Sequence, residues 1–211
     1  MKRKTDSFTG TRPIFTGSPS IVQGGFNLDV AKQKFAVGDV IPAGTLAIMD
    51  EATRKVQIIK TAKVLSVEDG NKIVNLQVDE FYAPCFAVGD KICKLSISGN
   101  YSEAPAIVKV EEKGNTYAIT LDKAAASGWH KGDVIQEVVD GSPLAKERGK
   151  ANCVTICDVE VSEFETAVDV SADTMQYAMY ENRVPAIPDT QKDSTKQFLA
   201  ANPHVKLTKS H

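Results

Sequence analysis

No apolar run in this chain reaches the roughly 18 residues that a membrane-crossing helix needs, so no transmembrane helix is expected. The basic start, Met1-Lys2-Arg3-Lys4, turns at once into the polar stretch Thr5-Asp6-Ser7 instead of an apolar segment. A secretory signal requires that apolar segment, so synthesis and retention in the cytoplasm are expected. The four cysteines, Cys85, Cys93, Cys153 and Cys157, include no Cys-x-x-Cys pair, and the three histidines, His130, His204 and His211, are scattered. Structural zinc wants two close pairs of ligands. The spacing therefore offers no metal site, and a reducing compartment disfavours a disulfide. Cys153 and Cys157 share a face if the segment is a strand, where buried thiols act as small apolar groups.

Catalytic motifs are missing too. There is no Gly-x-Ser-x-Gly elbow, no phosphate-cradling loop, no Gly-x-Gly-x-x-Gly after a strand and no His-Glu-x-x-His. Gly149-Lys150-Ala151 lacks both the upstream glycine and the hydroxyl that a magnesium ion would need. Acidic pairs such as Asp50/Glu51 and Glu111/Glu112 are adjacent, and neighbours on a strand point to opposite faces. Glu163 and Glu165 share a face but read as solvated positions. His130, beside Trp129, reads as a loop histidine next to a core-anchoring tryptophan. The chain is expected to be non-enzymatic, with no catalytic residue, no cofactor and no metal.

What the chain does have is a phrase written three times: Val37-Gly38-Asp39-Val40-Ile41, Val88-Gly89-Asp90-Lys91-Ile92 and Lys131-Gly132-Asp133-Val134-Ile135. The first two extend to Phe35-Ala36-Val37-Gly38-Asp39 and Phe86-Ala87-Val88-Gly89-Asp90. Glycine supplies a positive φ, aspartate bonds to nearby backbone N–H groups, and the isoleucine belongs to a following strand. Alternating apolar residues flank Asp69-Gly70 and again Gly114-Asn115, predicting two β-hairpins. Pro42 and Gly44 predict a loop or bulge between strands, and a change of phase near Ser162-Glu163 predicts a bulge or turn. Short strands with frequent turns imply a mainly β fold of antiparallel barrel or sandwich modules. The expected organisation is an extended N-terminal arm over 1–25, a first β module over 26–98, a second over 99–170, and a helical segment and tail over 171–211.

That last segment carries Met175, Ala178 and Met179 at helical spacing beside Tyr177 and Tyr180, with Ser171 as an N-cap. Its Met175, Met179 and Tyr180 are candidate oligomer contacts, packing either on a subunit or on the parent domain. Ser194-Thr195-Lys196-Gln197 predicts a capping box for a second short helix containing Phe198 and Leu199.

The formal charge of −2 is unevenly spread. Residues 1–25 carry +3 and residues 190–211 carry +3, which leaves −8 on the body between them. Basic ends suit an acidic partner surface, and the acidic body argues against a nucleic-acid partner. The arm is rich in Thr, Gly, Ser and Pro, yet Ile14, Phe15, Ile21 and Val22 are too apolar for a plain solvated tail. It lies either on another chain or along its own domain.

The run Phe35-x-x-Gly38-Asp39-Val40-Ile41-Pro42-Ala43-Gly44-Thr45-Leu46-Ala47, followed by Asp50-Glu51-x-Thr53-Arg54 and Val56-x-Ile58-Ile59-Lys60-Thr61-Ala62, resembles the β modules of tailed-phage head proteins. The resemblance is to the head fibre family of phages and prophages. More loosely, the run is similar to trimeric capsid decoration proteins with a Pro-Ala-Gly-Thr loop between strands. It covers roughly residues 12–95. It implies a virion protein on the capsid exterior, a homotrimer whose partners are sister copies and the major capsid protein. It also implies that Arg12, Pro13, Ile14 and Phe15 form the capsid-facing piece. No coiled-coil heptads or collagen-like repeat mark a shaft. The alternative is a β-rich module that binds carbohydrate or a cell surface, with Trp129 and either Tyr101 or Tyr117 on one open face as an aromatic platform.

Overall fold

A computed structural model of the protein describes residues 13–22, 25–79, 82–94, 99–125 and 128–209. Among these residues the chain is mainly β. Its strands are β1 (Phe26–Leu28), β2 (Val40–Ile41), β3 (Leu46–Asp50), β4 (Lys55–Ile58), β5 (Thr61–Glu68), β6 (Ile73–Leu76), β7 (Lys91–Lys94), β8 (Ile107–Lys113) and β9 (Thr116–Leu121). They continue with β10 (Val134–Asp140), β11 (Ala145–Glu147), β12 (Cys153–Thr155), β13 (Val159–Glu160), β14 (Ala167–Val168), β15 (Val170–Ser171), β16 (Met179–Tyr180), β17 (Phe198–Leu199) and β18 (Asn202–Thr208).

The first sheet runs β14-β1-β4-β3-β12-β15, antiparallel except for the β1/β4 pair. Its two ends, β14 and β15, flank the single residue Asp169. One short stretch of chain therefore pairs with both sides of the sheet and curls it into a ring. Inside it pack Phe26, Leu28, Ala47, Val56, Ile58, Cys153, Val168 and Val170. Successive strand residues face opposite sides: Ala47 and Cys153 point inward, while Leu46 and Val154 join an outer cluster with Ile14, Phe15, Met179, Val184, Leu199, Val205 and Leu207. The C-terminal sheet β16-β18-β17, with Ile14 and Phe15, thus covers the outside of the first barrel.

The second sheet runs β11-β10-β5-β6-β9-β8, and β7 also pairs with β10. A bridge between Lys91 and Ala106, with Ile107 N–H donating to Asp90 O at 2.9 Å, joins the start of β7 to the start of β8. This nearly closes a second barrel around Val64, Val74, Leu76, Phe86, Ile92, Ile107, Tyr117, Ile119 and Ile135. Closure matters because an open edge strand is a template for unwanted pairing.

The strand pairing divides the chain otherwise than at 98/99. Strands β5 to β7 pair with β8 to β11, whereas β12 and β14 return to β3 and β1. The second barrel, about 61–150, is therefore inserted into the first, which is built from both ends of the chain. Short strands of similar spacing show where a strand is and nothing of its partner, so periodicity could not reveal this exchange.

Both predicted hairpins form. In the first, Lys72 N–H donates to Asp69 O at 3.1 Å, and Gly70 and Asn71 take φ of +60° and +68°. The type I′ turn is thus centred one residue after Asp69-Gly70. In the second, Gly114 with φ +59° occupies the first central position between the paired residues Lys113 and Thr116. The change of phase near Ser162 is a turn, in which Ser162 Oγ accepts the Phe164 N–H at 3.2 Å.

The C-terminal helices are shorter than expected: two one-turn 3-10 helices, Glu181–Arg183 and Asp189–Gln191. Residues 175–180 do not form the predicted three-turn helix. Their backbone pairs with the arm instead, Thr16 N–H donating to Ala178 O and Tyr180 N–H to Ile14 O. The capping-box helix at Ser194 does not form either. Lys196 adopts φ +58°, and Asp193 accepts the N–H groups of Gln197 and Phe198 to make a turn into β17. Ser171 lies in β15.

Candidate functional site

The three Gly-Asp phrases fold into one motif. At each, the aspartate N–H closes a turn onto the carbonyl three residues back: Asp39 to Ala36, Asp90 to Ala87, Asp133 to His130. The same aspartate's carboxylate accepts the N–H of that residue, at 2.6, 2.8 and 2.7 Å. The glycines have φ of +80°, +89° and +91°, the conformation that the third residue of a type II turn requires. Each turn then docks on a strand or strand end by the same two bonds. Gly38, Gly89 and Gly132 donate to the carbonyls of Val161, Ile107 and Val64, whose N–H groups donate back to Asp39, Asp90 and Asp133.

The first two turns line a cleft of about 630 Å³ between the barrels. Phe35, Tyr82, Pro84 and Phe86 supply apolar and aromatic wall, and Asp39, Glu112 and Asp158 bring carboxylates to it against the single amine of Lys34. That amine reaches across, donating to Gly89 O at 3.1 Å. Asp158 accepts the Ala43 N–H at 2.8 Å. Volume and composition fall in the range of ligand-binding clefts.

Beneath the cleft lies a buried polar junction. Lys60 has no solvent-exposed surface; its Nζ donates to Asp90 Oδ2 at 2.7 Å and to Lys34 O, and it stands 4.1 Å from the centroid of the Phe35 ring. Gln33 takes over the β1 side of β4 beyond the end of β1, accepting from Ile58 N–H and donating to Ile58 O, both at 2.6 Å. It also donates to Glu137, which accepts from Arg148 Nη2 at 2.5 Å. Desolvation, and then the charge of Asp90, push the Glu137 carboxyl above its ordinary range despite Arg148 and Lys60. These groups come from both barrels and join them at the two crossings of the chain.

Cys85 lines the cleft, but burial raises its thiol to about 12. A thiol held protonated is not a nucleophile at neutral pH. Cys153 is likewise raised to about 12 by burial. Cys157 lies beyond the end of β12 and is exposed, so the two do not share a buried face. Among the described residues no group of three or more His, Cys, Asp and Glu side chains is placed to hold a metal ion.

Several residues singled out in the sequence do not form the sites expected of them, and of these Tyr117 alone borders the cleft. His130 sits on the third turn with its side chain 77% exposed, away from the cleft. Trp129 packs against the second core, and Tyr117 is buried inside it with its hydroxyl donating to Phe86 O at 3.1 Å. Tyr101 lies in a separate small cluster under the Lys91 ammonium. The three aromatics therefore form no common open platform. Ile14 and Phe15 are buried in the outer cluster of the first barrel, and Met179 is fully buried with them. Their side chains contact this chain and are not available to a capsid or a sister copy. Pro13 is exposed, Met175 is half exposed, and Tyr180 is partly covered by Arg183 at 4.2 Å. Arg12 lies outside the described residues.

The Pro42-Ala43-Gly44-Thr45 phrase is buried. Gly44 N–H donates to Thr155 O, and the hydroxyls of Thr45 and Thr155 both donate to Pro42 O. It clamps β3 to β12 and does not present a surface loop. Reasoning from sequence missed the cleft, because its walls come from turns 51 residues apart. The extended match between the two Phe-Ala-Val-Gly-Asp phrases was the available signal. Comparison with family models, with curated proteins and with solved structures finds no match.

Proposed function

We propose that the chain is a non-enzymatic structural protein of a tailed-phage or prophage virion, a head fibre or decoration protein made in the host cytoplasm and carried on the capsid exterior. The observation that supports this best is the use made of its buried polar chemistry. Lys60, Asp90, Gln33, Glu137 and Arg148 are engaged with one another and with backbone, holding two barrels together. Such a molecule offers shape and surface rather than a reacting group. Its sheets curl toward closure, so assembly into a homotrimer would use side-chain surfaces rather than strand addition. Exposed apolar groups for such contacts are Phe164, 86% open on its turn, with Met175 and Leu144. Of the residues that the resemblance assigns to the capsid, Pro13 is exposed and open to contact with the major capsid protein.

The test is to induce the strain or infect with the phage carrying the gene, purify particles on a density gradient, and analyse them by mass spectrometry. The chain should co-purify with the major capsid protein in fixed ratio. Its absence from particles, with the free protein abundant in the lysate, would overturn the reading.

A further inference from the structure

We propose that the cleft between the barrels is the docking site for this chain's own residues 1–12. The proposal stands apart from the virion reading. Those twelve residues, Met1 to Arg12, lie outside the described part of the protein and carry Lys2, Arg3, Lys4 and Arg12 against Asp6, a formal +3. The charged side chains lining the cleft, Asp39, Glu112 and Asp158 against Lys34, carry a formal −2. Lys34 is also drawn to one side by its bond to Gly89 O. Opposite charges at close range both attract and orient a segment.

The tether fits as well. Pro13 is held by Arg183, whose Nη1 donates to Pro13 O at 2.8 Å. Ile14 packs at Gly44, its Cδ1 3.5 Å from the position of a Cβ there. Pro42, two residues before Gly44, is cleft wall. The chain thus enters the described structure beside the cleft, and twelve extended residues span about 40 Å. The apolar part of the cleft, Phe35, Tyr82 and Phe86, also has a matching group in the segment, Phe8. A basic segment with one aromatic residue is the ligand this lining selects, and its attachment to the chain raises its effective concentration.

Zero-length carbodiimide coupling on the full-length protein tests this. Lys2 or Lys4 should be joined to Glu112, Asp158 or Asp39 within one chain. An equimolar mixture of unlabelled and isotope-labelled protein separates links within a chain from links between chains. The yield should fall about tenfold in roughly 0.5 M salt, which screens charge pairs beyond a few ångströms. In Glu112→Lys, trypsin should cut after Lys4 about tenfold faster than in the parent protein, since the cleft charge is then cancelled. Links only to carboxylates outside the cleft, links only between chains, or a yield indifferent to salt would each overturn the proposal. The coupling pattern of the parent protein decides the matter even if the variant does not fold.

Discussion

Lys60 Nζ and Asp90 Oδ2 stand 2.7 Å apart, and neither side chain is open to solvent. Lys60 leads out of the first barrel, and Asp90 belongs to the turn before β7 of the second. The pair therefore sits where the inserted barrel is attached. Removing one partner strands a buried charge, whereas removing both does not.

Lys60→Met is expected to destabilise the protein by about 3–5 kcal/mol in urea unfolding. Asp90→Asn should also be destabilising, since Asp90 accepts both the Lys60 ammonium and the Ala87 N–H. The double variant Lys60→Met/Asp90→Asn should lose less than the sum of the two, by about 1–3 kcal/mol. Simple additivity in the cycle would contradict the assignment of the pair as one unit.

The acid limb of stability should have two opposing parts. Asp189 is held below its ordinary value of 3.8 chiefly by the hydrogen bond from Lys196, and Asp193 chiefly by that from Thr195. Their contributions are complete above about pH 4 and disappear as the pH falls through the depressed values. Glu137 is raised above 4.5, mainly by burial, so its protonation favours the folded state. That contribution is full below 4.5 and is lost as the pH rises through the folded value. Thermal unfolding across pH should show Glu137→Gln flattening the profile above 4.5 while leaving the fall below pH 4 in place.

Gly44 has φ +77°, and a Cβ there would stand 2.2 Å from Val184 Cγ1. Gly44→Ala therefore meets both backbone strain and a buried side chain between the first barrel and its C-terminal cover. A loss of about 2–4 kcal/mol is expected by calorimetry or urea unfolding. Gly70→Ala, where no atom lies within 4 Å of the new Cβ, should cost only the strain of its φ of +60°, about 1 kcal/mol. Equal costs at the two positions would show that Gly44 is not a packing site.

Thiol labelling should separate the cysteines. Cys157 is exposed and should be alkylated first, while Cys85 and Cys153, buried and raised to about 12, should react only on unfolding. Labelling followed by peptide mapping checks the order. Prompt labelling of Cys153 would mean that its side chain does not face the interior of the first barrel.

Much of the local structure was legible in the residues. Gly38-Asp39, Gly89-Asp90 and Gly132-Asp133 announced their turns because glycine's φ and the aspartate carboxylate are properties of the residues themselves. The alternation through Ile73–Leu76 and Thr116–Leu121 likewise named strands. What failed depended on distant partners. Met175 to Tyr180 has a helical pattern, yet Ile14 and Thr16 supply its backbone with a strand-like partner more than 160 residues away. Val154 and Ala47 gave no sign that β12 returns to β3 across an inserted barrel. The cleft was hidden for the same reason. Phe35 and Phe86 were visibly alike in sequence, but only the fold makes them walls of one site. The resemblance set Ile14 and Phe15 against a capsid, while their apolarity left either another chain or their own domain as the partner. The same apolarity is satisfied by Met179 and Val184 of their own chain.

Cryo-electron microscopy of purified particles, with the head reconstructed, measures the main proposal most directly. The account predicts two-barrel density on the outer face of the capsid shell, repeated in threes and matching residues 13–209. Heads with a bare outer surface, in particles whose parent gene is expressed, would contradict it.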